Sequence, residues 1–123
     1  MKVIATDKAP AAVGPYSQAV VANGFLFASG ALGINPETGK FEDGFEAQAE
    51  RVFSNLAAIL KEAGMGFENV VKAEVFLTDL GKFKIVNEIY AKYFKAPFPA
   101  RYAFEVSALP LGGLVEISVT ATK

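Results

Sequence analysis

A chain of 123 residues, 52% of them hydrophobic, is long enough for one domain spanning residues 1–123 with a substantial core. Its 12 basic and 13 acidic residues leave a net charge of −1, so no overall field draws it to a phosphate backbone and nucleic acid is not expected as a partner. Cysteine and histidine are both absent, which excludes disulfides, thiolate nucleophiles, Cys/His zinc centres, Ser-His triads and imidazole acid–base catalysis within one chain.

The opening MKVIATDKAP is charged too early and too often for a signal peptide, and no apolar run is long enough to span a bilayer. A cytoplasmic protein with no membrane partner is the expectation. Ala19 to Ala22 and Phe25 to Ala28 are apolar runs around Asn23-Gly24, a pair that tolerates positive φ and predicts a β-hairpin. The run Ser29-Gly30-Ala31-Leu32-Gly33-Ile34 is broken by glycines, and Asn35-Pro36-Glu37-Thr38-Gly39 marks a turn.

From Phe45 the apolar period changes. Phe45, Ala49, Val52, Phe53, Leu56, Ile59, Leu60 and Ala63 fall on one helical stripe that Gly64 stops. Val70 to Leu77 reads as a strand, with Lys72 and Glu74 on one face and Val71, Ala73, Val75 and Leu77 on the other. A second helix, capped by Thr78 or Asp79, turns Phe83, Val86, Ile89, Tyr90, Tyr93 and Phe94 inward and ends before Pro97 and Pro99. Arg101 to Ser107 and Val115 to Thr122 are the last strands.

This order, β-β-(β)-α-β-α-β-β, describes an α+β layer pair: a mostly antiparallel or mixed sheet with two helices on one face. Two helices cover only one side of such a sheet. Since the strands carry apolar residues on both faces, the uncovered side is expected to meet partner subunits in a closed assembly.

Candidate chemistry lies where polar groups interrupt the apolar pattern. Strand alternation puts Arg101, Ala103, Glu105 and Ser107 on one face, and Glu116, Ser118, Thr120 and Thr122 on one face of the last strand. If the two strands pair as a hairpin with Ala103 opposite Glu116, Arg101 is diagonal to Glu116 and the small Ala103 leaves room between the charges. Arg101 would then grip a substrate carboxylate while Glu116 faces the reacting carbon; the competing reading, favoured by spacing alone, is a structural salt bridge at an interface. Tyr16 in the Gly14–Gln18 turn offers a phenol or merely covers the core. Ser29-Gly30 offers a hydroxyl and an open N–H, or a β-bulge, and Asn87 sits at the edge of the second helix's apolar stripe. No metal-ligand cluster is present, and no metal or other cofactor is expected.

Together GPYSQA, FASGALGINPETG, VVKAEVFLTDL, VNEIY, PFPARYAFEV, ALP and VEISVTA resemble, nearly end to end, the reactive intermediate deaminase family (RidA, or YjgF). The resemblance implies a chorismate-mutase-like fold, a six-stranded mixed sheet with two helices on one face. It also implies a homotrimeric barrel with three sites between subunits. The implied reaction is hydrolysis of enamine and imine intermediates (2-aminoacrylate, 2-iminopropanoate, 2-iminobutanoate) to 2-oxo acids and ammonium, a disposal of reactive metabolites. It makes Arg101 the carboxylate anchor and Glu116 its catalytic companion. Tyr16, Ser29, Gly30, Asn87 and Ala103 then line the pocket.

Members commonly carry Cys where Ala103 stands, Gln where Ala31 stands and Glu where Ser118 stands, so these positions bear on substrate range. Arg101 beside Glu116 is expected to outweigh burial and keep that carboxylate charged. The alternative is a non-catalytic sensor of small carboxylic or keto acids using the same pocket. Ribonuclease activity finds neither a histidine general acid nor a basic track here.

Overall fold

Asn23 and Gly24 take φ values of 51° and 80°, closing the expected hairpin between β2 (Ala19–Ala22) and β3 (Phe25–Ala28). The computed structural model describes all 123 residues. Strand β1 (Lys2–Ile4), which the sequence reading did not pick out, pairs antiparallel with β2. After β3, the short β4 (Ala31–Leu32) continues along the same neighbour. The expected turn at Asn35–Gly39 joins two further short strands, β5 (Ile34–Asn35) and β6 (Lys40–Phe41).

Helix α1 (Phe45–Glu62) buries Ala49, Val52, Phe53, Leu56, Ile59 and Leu60, as its apolar spacing predicts. It stops at Gly64, which takes φ 72°. The Met65 N–H donates to Leu60 O and the Gly64 N–H to Lys61 O, so two orphaned end carbonyls are satisfied in a Schellman arrangement. Strand β7 (Val70–Leu77) follows. Asp79 then caps a 3-10 turn through the Gly81 N–H at 2.9 Å, leading into α2 (Phe83–Tyr93). The last strands are β8 (Ala100–Glu105) and β9 (Val115–Thr122).

The main sheet runs β1-β2-β3-β9-β7-β8, with β4 beside β9 in the continuation of β3, which makes six strand positions. Only β7 and β8 run parallel. They form a crossover unit with α2 between them, and this overturns the expected hairpin of the last two strands. The crossover carries β8 to one edge of β7, while β9 occupies the other edge of β7 and pairs with it antiparallel. Ala103 therefore lies opposite Val75, not Glu116, and Glu116 lies opposite Phe76.

One face of the sheet, carrying Ala73, Val75, Leu77, Val115, Ile117, Val119 and Ala121, is buried under both helices. A β-bulge between Val70 and Lys72 breaks the alternation, so Val71 is exposed rather than buried as strict parity predicted. Phe53 stacks on Tyr93 at 4.9 Å and Tyr90 on Phe94 at 4.2 Å, closing the core between the helices. Each such large side chain, fully buried, contributes about 1.5–3 kcal/mol. The other face is uncovered and leaves Phe25, Phe27 and Phe104 exposed. No helix is long and apolar enough to cross a membrane.

Candidate active site

Pairing with Ala73 and Val75 turns Arg101 and Ala103 toward the helices at the sheet's open edge. There the Arg101 guanidinium lies over two rings of α2, 4.7 Å from the Tyr90 centroid and 5.0 Å from that of Phe83. Its Nη1 donates to Asn87 Oδ1 at 2.7 Å. The rings and the amide hold the planar cation in place. The chain's ion pairs are Arg51–Glu42 and Lys92–Glu50, so Arg101 has no carboxylate partner. Burial pushes the Tyr90 hydroxyl up in pKa and the Arg101 charge draws it partly back. Asn87, Tyr90, Ala91, Phe98, Pro99 and Arg101 line one cleft of about 520 Å³. Glu105, on the same face, accepts from the Leu80 N–H at 2.9 Å and ties β8 to the turn before α2.

Glu116 shares the uncovered face with its neighbour Phe76. Two strand spacings separate β8 from β9, about 10 Å, and three residues along the strand add about 10 Å. Because the two side chains also point to opposite faces, the expected contact of Arg101 with Glu116 across Ala103 does not form within the chain. Accordingly burial alone acts on Glu116 and raises its carboxyl above the usual range, the reverse of the charged state expected from a nearby Arg101.

What packs against Glu116 is Gly30. Phe27 lies opposite Thr120 and Ala31 opposite Ile117, so one extra residue bulges out between β3 and β4. A Cβ on Gly30 would stand 2.6 Å from Glu116 Cδ, so only glycine admits the carboxyl here. Of the backbone hydrogen bonds outside helices and strands, none uses the Gly30 N–H. Ser29 Oγ donates to Ser17 O at 2.7 Å, which leaves its lone pairs as acceptors, and Ser118 Oγ donates to Ala28 O at 2.8 Å, steadying the bulge.

Tyr16 is half exposed and borders, with Ser29 and Gly30, a second cavity of about 370 Å³. The seven expected site residues thus fall into two groups. Arg101, Asn87 and Ala103 lie on the helix side of one sheet edge; Tyr16, Ser29 and Gly30 gather at the bulge, with Glu116 against it on the uncovered face. The first group presents a positioned cation without a carboxylate partner; the second offers a carboxylate of raised proton affinity, a free N–H and a phenol.

Sequence reasoning missed three supports. Phe83 and Tyr90 face inward as their spacing predicts, but the same two rings also carry the Arg101 guanidinium, for which an arginine following an aromatic stripe is the signal. Gln18, buried, accepts from the Thr6 N–H at 2.7 Å and donates to Pro10 O at 2.7 Å, pinning the N-terminal segment beside Tyr16. Asn55 interrupts the apolar stripe of α1 and is wholly buried.

A family profile described as Endoribonuclease L-PSP matches residues 6–123. The chain is 54% identical over 122 residues to Reactive Intermediate Deaminase A, chloroplastic, of Arabidopsis thaliana, covering 98% of this chain and 65% of that protein. It is 49% identical over 123 residues to the 2-iminobutanoate/2-iminopropanoate deaminase of Bos taurus, covering 99% and 90%. The crystal structure of RidA from the Antarctic bacterium Psychrobacter sp. superposes with a TM-score of 0.97 at 49% identity, covering all of both chains.

Proposed function

The chain belongs to the Endoribonuclease L-PSP family, the group of the reactive intermediate deaminases, and from that premise we infer what its two half-sites do. It is an enamine/imine deaminase that hydrolyses 2-aminoacrylate, 2-iminopropanoate and 2-iminobutanoate to 2-oxo acids and ammonium. The observation that carries the assignment is Arg101: a guanidinium fixed over two rings, with no carboxylate of its own chain, is set to take one from a substrate.

Protonation of the enamine's terminal carbon gives the iminium ion, the protonated imine, whose carbon accepts the oxygen of water. The carbinolamine formed then expels ammonia as its hydroxyl proton leaves, giving the 2-oxo acid. Arg101 fixes the substrate carboxylate, assisted by the Gly30 N–H, while Ser29, its hydroxyl proton given to Ser17 O, turns a lone pair to the substrate's N–H. Glu116, its proton affinity raised by burial, takes the proton of the attacking water and returns it to the leaving nitrogen. Tyr16 and Asn87 orient the nitrogen and the anchor, and Ala103 leaves space at the wall. Such positioned proton transfer contributes about 10² to 10⁴ in rate, enough for a carbon that is already electrophilic.

The half-sites lie too far apart to act on one small molecule inside one protomer, which supports a homotrimer in which Arg101 of each subunit faces Glu116 of the next. Mixing subunits tests this. Arg101→Ala and Glu116→Gln should each be inactive alone. Co-assembled in equal amounts, they should recover about a quarter of wild-type turnover of 2-aminoacrylate, because one interface in four pairs both intact residues. No recovery in verified mixed assemblies would place both groups in one protomer and refute the split site.

A further inference from the structure

Gln18 follows Tyr16 by two residues, and its side-chain amide is buried and spent wholly on the N-terminal segment. Its Oε1 accepts from the Thr6 N–H at 2.7 Å. Its Nε2 donates to Pro10 O at 2.7 Å and Thr6 O at 3.0 Å, and reaches Ala9 O at 3.3 Å. Carbonyls about the nitrogen and an N–H at the oxygen fix which way the amide points.

The backbone on either side of Gln18 faces the bulge. Gln18 O accepts from the Ser29 N–H at 2.9 Å and Ser17 O from Ser29 Oγ at 2.7 Å, so the turn that carries Tyr16 is anchored next to Gly30. The Tyr16 side chain is held far less firmly. It is half exposed, and the one hydrogen bond of its hydroxyl in the protomer is accepted from the Val13 N–H at 3.4 Å. A bond of that length has little hold of its own, so the phenol keeps its place only while the segment that carries Val13 keeps its own. A phenol oxygen that accepts from an N–H also retains its proton for donation elsewhere.

We propose that Gln18 is a positioning residue for the deaminase reaction: by clamping residues 6–10 it keeps the Val13 N–H on the Tyr16 oxygen, and so holds the phenol at the bulge as a hydrogen-bond donor to the substrate. The proposal rests on the deaminase reading for the place of Tyr16 in the site. Without the amide, the Thr6 N–H and the facing carbonyls have no partner where they stand. They reach water only by lifting the segment away, and Val13 goes with it.

Gln18→Met keeps the length and apolar bulk of the side chain without its amide. It should lower kcat/KM for 2-aminoacrylate about five- to tenfold, the worth of one neutral hydrogen bond, as should Tyr16→Phe. The double variant should be no worse than Tyr16→Phe alone, whereas a glutamine that served only the fold would lower both backgrounds alike. Val13→Pro, which removes the donating N–H and leaves the clamp, should show the same loss and the same lack of further loss in Tyr16→Phe. Should Gln18→Met fail to fold, Thr6→Pro, which withdraws only the N–H that Gln18 Oε1 accepts, takes its place under the same expectations.

The position of the phenol is also read without turnover, from protein carrying carbon-13-labelled tyrosine rings. The Tyr16 signal, assigned by its absence in Tyr16→Phe, should move toward that of free tyrosine and sharpen in each clamp variant. Wild-type turnover by Gln18→Met or Val13→Pro, or losses that multiply in the double variants, overturn the proposal while the deaminase reading stands. If the wild-type protein hydrolyses no imine, that reading fails and the ring signal decides alone: release in the clamp variants supports the placement of Tyr16 by Gln18, and an unmoved signal refutes it.

Discussion

Arg101 shows what the sequence makes visible about a single residue. Strand parity places it beside Ala103 and Glu105 on one face, and parity is local, so that expectation survives folding. Which charge it meets depends on strand order, which no local pattern encodes. Glu116 shows the consequence. Without a guanidinium beside it, burial alone raises its carboxyl. A carboxyl whose folded-state pKa lies above its unfolded value adds stability below the unfolded value, and that stability is lost as pH rises through the folded one. Glutamine mimics the protonated form. In an Arg101→Ala background, where no subunit can lend a cation, Glu116→Gln should match its parent in Tm at acid pH and exceed it increasingly toward neutrality. An offset independent of pH, measured by thermal melts, would show that Glu116 is not held up by burial.

At the scale of elements, both helices, the Asn23-Gly24 hairpin and the three longest strands were legible, because spacing, caps and turn residues are written locally. The pairing of β8 was not. A seven-residue link between the last strands invites a hairpin, but β7, α2 and β8 are already committed to a parallel crossover, and β9 finds β7's other edge open. The bulge at Ser29-Gly30 was an open alternative in the sequence, and it coexists with the site because the extra residue brings Glu116 against Gly30. Gly33 fixes the neighbouring helix. A Cβ there would stand 2.6 Å from Gln48 Cα and 2.7 Å from its carbonyl oxygen, both backbone atoms of α1, which cannot swing aside as a side-chain end does. Gly33→Ala should therefore cost about 1–3 kcal/mol in urea unfolding, the range for overfilled packing. Because α1 also carries Asn55, the variant should disturb the 370 Å³ cavity as well. A loss within about 0.5 kcal/mol, the spread of neutral surface changes, would mean that the helix shifts without resistance.

The whole molecule is unbalanced between its two faces. Both helices lie on one side of the sheet, and the other presents Phe25 and Phe27 from β3 and Phe104 from the edge strand β8, at 40%, 48% and 55% exposure. Aromatic rings spread over one sheet face form a patch that a lone soluble protomer rarely leaves to water. Covering it with further copies would protect these rings and bring separate half-sites together, so assembly and catalysis are expected to fail as one. Phe27→Glu separates this from misfolding, because Phe27 is half exposed and lies outside the buried core of the protomer. The variant should keep its far-ultraviolet circular dichroism, sediment as a monomer, and lose about 10²-fold or more in kcat/KM for 2-aminoacrylate, since misplaced groups forfeit at least that much. Restoring assembly at high protein concentration should restore turnover in proportion. A monomer that keeps full turnover would require Arg101 and Glu116 to act separately, and a trimer unaffected by the buried charge would move the interface off this face.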